Sequence, residues 1–289
     1  MKMSRCLLSQ LFWGLFLIFV FPSFVKAETI NCTAITSLPY TITTQGVYCL
    51  TSDLSTGMTS GNAIEIATNN VVIDLNGHKL GGLAAGPGTY AWGISAQQRK
   101  NITIRNGTVR GFYTGISLQD FYPYTTSQGH LIENIRADMN TYIGIDVQGL
   151  GNIIRNNQVV NTGGSTWSSF KSAWGIWVFG SGARVLNNDV IETREQSVYF
   201  AHGIDISYAS GAVVRNNRIA NSSLGTGTSY GIIVPNSTDV LVLNNRVTKM
   251  NYGVYYDDTA PFSRGKYRDN LTSGVTYPFT GGTDAGNNN

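Results

Sequence analysis

Two short motifs alternate down most of this chain: an Asn-rich step that closes an apolar run, and a Gly followed by Ile or Val. The first recurs around Asn106, Asn134, Asn156, Asn187, Asn216 and Asn244, and the second at Gly93, Gly115, Gly144, Gly175, Gly203, Gly231 and Gly253. Successive glycines lie 22, 29, 31, 28, 28 and 22 residues apart, so one backbone unit is repeated with inserts of different length. That regularity constrains the fold more than any other feature of the sequence.

In one unit, Ile153-Ile154-Arg155-Asn156-Asn157-Gln158-Val159 is followed by an insert and then Gly175-Ile176-Trp177-Val178-Phe179. The apolar residues alternate or run for three to five positions, which suits short strands and is too brief for helices. No window sustains a helical period with capping signals, so helix should be minor. A period of this length, with several short strands and Asn or Gly at the corners, fits a parallel β-helix, each coil covering the apolar edge of the next. Asn suits a corner because it tolerates the left-handed conformation, and its amide can bond the equivalent Asn one coil away. The Asn column is therefore expected to be structural.

The first 27 residues carry Lys2 and Arg5, an apolar run from Leu11 to Phe21, and small residues at Val25 and Ala27, the pattern of a secretory signal peptide. Its removal takes Lys2, Arg5 and Lys26 from 20 basic residues and none from 17 acids, leaving a chain of 262 residues that is formally neutral. General attraction to nucleic acid is then not expected, and an anionic ligand would have to be held by local groups. No later segment is apolar enough to span a membrane. Cys32 and Cys49 should form one disulfide in an oxidising compartment, and two Cys without neighbouring His or further Cys do not make the usual metal-ligand set. Residues 28–68 precede the regular repeat and are expected to cap it. Residues 69–280 form the coil, and 281–289, where the pattern is lost, a flexible tail.

The run Asn70 to His78, the segment Asn101 to Val109, and the recurring Asn-Asn and Gly-Ile units resemble right-handed parallel β-helix proteins of the pectate-lyase-like superfamily, in the style of the carbohydrate-binding and sugar-hydrolase repeats. The resemblance covers roughly Ile64 to Thr276 and implies an all-β, single-stranded solenoid of about eight coils. It says little about activity, since one fold hosts many. It implies three strands per coil, the Asn corner between the second and third, and the Gly-Ile strand as the first strand of the next coil. The longest inserts, Val160 to Trp174, Ile191 to His202 and Ala220 to Tyr230, then fall just before that first strand, where similar proteins build polysaccharide clefts. The insert Gln119 to His130, with Phe121, Tyr122 and Tyr124, would wall the opposite side.

Within the Gly-Ile-x-Val strand, alternation sends Ile and Val inward and the intervening residue outward. Read along the stack, that outward row is Ser95, Ser117, Asp146, Trp177, Asp205, Ile233 and Tyr255. Asp146 and Asp205 flank Trp177, their backbones nearly 10 Å apart at roughly 4.8 Å per coil. An inverting glycosidase holds its two carboxyl groups about 6.5 to 9.5 Å apart, so the pair permits sugar hydrolysis. His202 enters the Asp205 strand, but alternation turns its side chain away from the Asp205 direction, so a His-Asp pair is not implied. The candidate catalytic residues are Asp146, Asp205 and His202, and the candidate sugar-binding residues Trp177, Tyr255, Trp174 and Tyr199. Trp167, Phe170 and Phe200 could equally anchor the inserts.

Relatives with known activities differ at their motifs. Calcium-dependent pectate lyases need clustered acids on neighbouring coils and an arginine near the groove, whereas here the acids skip a coil and no arginine occupies the outward row. The polygalacturonase motifs are missing or out of order around His202-Gly203 and Asp257-Asp258, and Tyr252-Gly253-Val254-Tyr255-Tyr256-Asp257 shares only the opening of a mannuronan epimerase motif. Two readings stay open: a secreted or periplasmic protein that binds and hydrolyses a polysaccharide or glycan, and a non-catalytic surface protein using the coil as a rigid scaffold. Neither calls for a cofactor.

Overall fold

The computed structural model describes residues 31–167, 171–257 and 264–289. The expected signal segment, Phe170 and Asp258 lie outside the described residues. The chain winds as a right-handed parallel β-helix with two sheets. A ten-stranded sheet takes one strand from each coil, and an eighteen-stranded sheet takes the other two, all described pairings being parallel. About eight full coils are closed at either end by the short strands Tyr40–Ile42 and Tyr277–Thr280. Among the described residues the helical content is one 3-10 turn, Leu83–Ala85.

The core is a set of in-register columns. Ile94, Ile116, Ile145, Ile176, Ile204 and Ile232 stack down the inner side of the ten-stranded sheet, all fully buried. Ile104, Ile132, Ile154, Val185, Val214 and Val242 face them from the other sheet. Burying each such side chain stabilises the fold by about 1.5 to 3 kcal/mol, and it does so only when a coil lies above and below.

Two Asn columns turn the corner. In the outer one Asn156, Asn187, Asn216 and Asn244 have φ between 51° and 59°, and side-chain amides link coil to coil, as in Asn216 to Asn187 at 3.1 Å. The inner one, Asn157, Asn188, Asn217, Asn245 and Asn270, is buried. Each of the first four amides donates to the carbonyl oxygen of the next Asn side chain at 3.0 Å and to a backbone carbonyl of the preceding coil. Along this inner column the buried Asn amides are thereby satisfied inside the repeat.

The described residues of both ends join the coil. The segment expected to cap the repeat is itself coiled over its described part. Tyr40–Ile42 pairs with Asn62–Ile66, and Gly46–Leu50 with Val71–Asp74, because Ile42, Leu50 and Ile64 supply the same inward columns. Cys32 and Cys49 form a disulfide across this region. The expected flexible tail instead adds a partial coil: Thr283–Asp284 pairs with Lys266–Tyr267, and Asn288 Oδ1 accepts from the Asn270 backbone and amide. Asn287-Asn288 repeats the corner pair, Asn287 having φ 57°, which is why the last residues keep the stack.

Candidate functional site

The outer face of the ten-stranded sheet carries two rows of outward side chains, because each motif glycine interrupts the alternation. A Cβ built on Gly203 would stand 2.5 Å from Ile219 Cγ2 and 2.6 Å from the Gly231 carbonyl, so this position points into the wall and only hydrogen fits. Gly203 and Ile204 therefore both turn inward, and the residues either side of them, His202 and Asp205, both turn outward. Simple alternation would have separated them. The expectation that no His-Asp pair forms is corrected: His202 Nδ1 lies 2.7 Å from Asp205 Oδ2.

Asp205 is 3% exposed and is held by two further donors. Trp174 Nε1 donates to Oδ2 at 3.1 Å, and Ser207 Oγ to Oδ1 at 2.6 Å. A carboxylate accepting all three bonds makes His202 Nδ1 a donor and leaves the imidazole lone pair on Nε2. His202 is the more open member, with 12% of its side chain exposed. Its ring meets Trp174 and Tyr230 edge-on, at 5.2 Å each, and these contacts fix its plane.

Asp146, Trp177 and Asp205 stand in register on three successive coils. Asp146 is 2% exposed, accepting from Ser117 Oγ at 3.1 Å and from Gln148 Nε2 at 3.1 Å. Burial pushes its carboxyl up to about 7, against the lowering effect of the Gln148 and Ser117 hydrogen bonds. Trp177 stacks on Trp174 with centroids 4.8 Å apart and planes at 15°, so each indole covers one face of the other. Trp177 Nε1 reaches Ser207 Oγ at 3.4 Å, tying the pair to the Asp205 cluster.

Aromatic side chains extend this face in both directions along the axis. Tyr230, Tyr252 and Tyr277 form a stacked ladder with centroid spacings of 5.0 and 4.9 Å, and Tyr255 packs against the first two. Tyr113 and Tyr142 stack at 4.6 Å towards the other end. Tyr199 meets the next insert through its backbone, its carbonyl accepting from the Thr228 N–H.

The inserts flank the face. Trp167 folds back to stack on Tyr90 at 4.0 Å. Glu195 is buried and accepts from the Gly227 N–H at 2.8 Å, bracing one insert on its neighbour. On the other side, Asp120 binds the backbone N–H groups of Phe121, Thr126 and Ser127, which shapes a loop that places Tyr124 against Phe179 and Tyr208. The sequence reading named the inserts and the outward row. It missed Ser117, Gln148 and Ser207 as carboxylate partners, although all three sit on outward positions of Gly-bearing strands. Among the described residues no group of three or more His, Cys, Asp or Glu side chains is placed to hold a metal ion.

The right-handed β-helix region family model matches residues 169–279. No curated protein matches the chain. Among solved structures, the enzymatically active domain of tailspike protein 2 from bacteriophage CBA120 is similar over 88% of this chain and 38% of its own, at 12% identity and a TM-score of 0.54. The Dettilon tailspike protein is similar over 89% of this chain and 59% of its own, at 14% identity and a TM-score of 0.50. The A-module of a mannuronan C-5 epimerase from Azotobacter vinelandii is similar over 88% and 85%, at 12% identity and a TM-score of 0.52. This chain thus spans 38% of one tailspike and 59% of the other, less than two thirds of either, and the likeness at such identities concerns the fold.

Proposed function

We propose that this chain is exported, binds a glycan along the outer face of the ten-stranded sheet, and hydrolyses it with Asp146, His202 and Asp205. The observation that carries the reading is the hydrogen-bonded His202–Asp205 pair, set two coils from a second buried carboxyl with stacked indoles between them. Asp146 would give its proton to the glycosidic oxygen as the bond to the anomeric carbon breaks. His202 Nε2 would take a proton from the attacking water, and Asp205 would stabilise the imidazolium through Nδ1. A separation of two coils, roughly 9.6 Å between backbones, leaves room for that water and favours inversion at the anomeric carbon. An Asp held at about 7 is a competent acid near neutral pH. The mannuronan- and tailspike-type neighbours lend fold-level support for a carbohydrate ligand. Export is supported by the disulfide and by the composition of residues 1–27.

The burial of both carboxylates, 2% and 3% exposed, favours a second reading, in which the same face binds a glycan without cleaving it. Reducing-end release from a panel of polysaccharides, comparing wild type with Asp146→Asn, Asp205→Asn and His202→Gln, separates the two. Cleavage lost in each variant, with the product anomer inverted by NMR, supports hydrolysis. Cleavage that survives all three sinks the assigned site, and retention of a glycan without turnover by wild type establishes the second reading. Intact mass of the secreted protein should begin at Glu28.

A further inference from the structure

A second groove lies on the other side of the molecule, where the two strands of each coil in the eighteen-stranded sheet meet at the Asn corner. Two concavities, of about 860 and 660 Å³, follow this corner, the larger towards the C-terminal end and the smaller towards the N-terminal end. Their lining differs in charge. The smaller is lined mainly by Asn, Gly and Thr, with Arg136 its one cation. The larger is lined by Arg215, Arg246, Lys266 and Arg268 against the single acid Asp269, with Leu241, Leu243 and Leu271 between them.

Towards the N-terminal end the corner arginines have carboxylate partners: Arg105 is 2.9 Å from Asp74, and Arg155 is 2.7 Å from Glu133. In the larger concavity the pattern changes. Arg268 is paired with Asp269, but among the described residues Arg215, Arg246 and Lys266 make no ion pair, and all three are exposed. Arg246 is held in place by Asn244 Oδ1 and by the carbonyls of Asn245 and Asp269, so its guanidinium is positioned without being neutralised. Along the strand register the order is Arg155, Leu186, Arg215, Leu243, Arg268, a cation on every second coil. That interval, roughly 9.6 Å at the strand spacing, is comparable with a disaccharide in an extended chain.

We propose that this C-terminal stretch of the Asn corner is an anion-binding groove for a linear acidic polysaccharide, one bearing carboxylate or sulfate groups and lying along the coil axis. Guanidinium groups bind both oxyanions with paired N–H donors, and the exposed Asn amides between coils can bond sugar hydroxyls. The elongated concave shape fits a polymer strand rather than a flat lipid surface. The leucines offer no stacking platform for bases, which sets a polysaccharide above a single-stranded nucleic acid. The formal neutrality expected of the exported chain makes such binding a property of this patch and not of the whole molecule.

Native-gel affinity electrophoresis of the full exported chain tests this, with polygalacturonate, dextran sulfate, unsubstituted dextran and single-stranded DNA as separate gel additives. Wild type should be retarded by the two acidic polysaccharides, not by dextran, with retardation falling as salt rises. Arg215→Ala with Lys266→Ala should weaken binding roughly five- to tenfold, and restoring charge with Arg215→Lys should recover part of it. Trp177→Ala, on the opposite sheet, should leave this retardation unchanged. Equal retardation of wild type and the double variant, loss on Trp177→Ala, or no retardation by either acidic polysaccharide would each overturn the proposal. Binding to DNA in preference to both polysaccharides would overturn it in favour of a nucleic-acid groove.

Discussion

The two sheets of this solenoid share a core but not a surface chemistry. The described strands of the eighteen-stranded sheet contain twelve Lys and Arg with six Asp and Glu, whereas those of the ten-stranded sheet contain no Lys or Arg and three acids, Glu65, Asp146 and Asp205. The internal segments outside the described residues, 168–170 and 258–263, add no cation. The aromatic ladders and the His-Asp pair stand on the cation-free sheet, and the arginine rows on the other. A uronate or sulfate chain on the ten-stranded sheet would meet buried carboxylates without a Lys or Arg to compensate them, so the glycan proposed for that face is an uncharged one. The segregation teaches that one repeat can present two faces of different chemistry, because the outward residues of each sheet point away from the shared core.

The widest break between the faces is functional. Asp205→Asn should lower hydrolysis by about 10²- to 10⁴-fold, the usual range for losing general acid-base support, while retention on an acidic polymer stays at the wild-type level. The double variant at Arg215 and Lys266 should show the reverse pattern, with kcat/KM on an uncharged glycan unchanged. A loss of both properties in either protein would show the faces to be coupled.

Acid and base should destabilise different sides. Asp146, on the ten-stranded sheet, has its folded pKa raised to about 7. The folded state therefore holds an extra proton between the unfolded value near 3.8 and 7. Its stabilising share is present below that window and is lost as pH rises through it, by about 4 kcal/mol at most. His130, at the start of an eighteen-stranded-sheet strand, is buried with its pKa lowered to about 4. Its Nδ1 accepts from the Ile102 N–H, and its Nε2 lies 2.6 Å from Ser127 Oγ. Here the unfolded state holds the extra proton, so stability falls as pH drops from 6.5 to 4, by about 3 kcal/mol. Denaturant titrations at pH 4, 6 and 8 should find Asp146→Asn more stable than wild type at pH 8, with the gap closing at pH 4. A gap that widens towards acid would refute the assignment.

The fold was legible because its rule is local and repeated: Ile and Val columns, Asn corners and Gly steps each recur at positions the sequence displays. The register Asp146, Trp177, Asp205 followed from that rule alone. What was hidden depended on departures from ideal alternation. The Gly203 step aligns His202 with Asp205, and no count of alternating residues reveals it. The terminal coils were hidden too, since Asn287-Asn288 lacks the apolar run that marks the motif elsewhere. The charged groove at the Asn corner needed the cross-coil register, which brings Arg215 and Arg268 into one row across Leu243.

Backbone substitutions compare the two walls at smaller cost. Gly203→Ala pushes a methyl against Ile219 and the Gly231 carbonyl and should destabilise by about 1 to 3 kcal/mol, with hydrolysis reduced because His202 and Asp205 rotate apart. Asn217→Ala leaves the Asn188 amide and the Asn188 backbone N–H without the Asn217 Oδ1 acceptor, a similar loss of about 1 to 3 kcal/mol. Catalysis by the residual folded protein should nonetheless stay intact, since the inner ladder touches neither carboxylate. Thermal melts paired with initial rates distinguish the two. Equal rate losses would place the Asn ladder in the site.

The smallest expected effect on stability is the most direct test of the segregation. Gln97 is exposed on the ten-stranded sheet, paired in register with Gln119 on the next coil, and makes a clean position for a cation. Gln97→Lys should change stability by no more than about 0.5 kcal/mol, because the new charge stays in water. It should add weak retention of acidic polymers on top of what remains in the double variant at Arg215 and Lys266, a background in which the native groove is weakened roughly five- to tenfold. If the added lysine leaves retention unchanged there, a missing cation is not what keeps acidic chains off this face, and shape must exclude them. Retention that appears with the lysine would instead tie the preference for an uncharged glycan to charge alone.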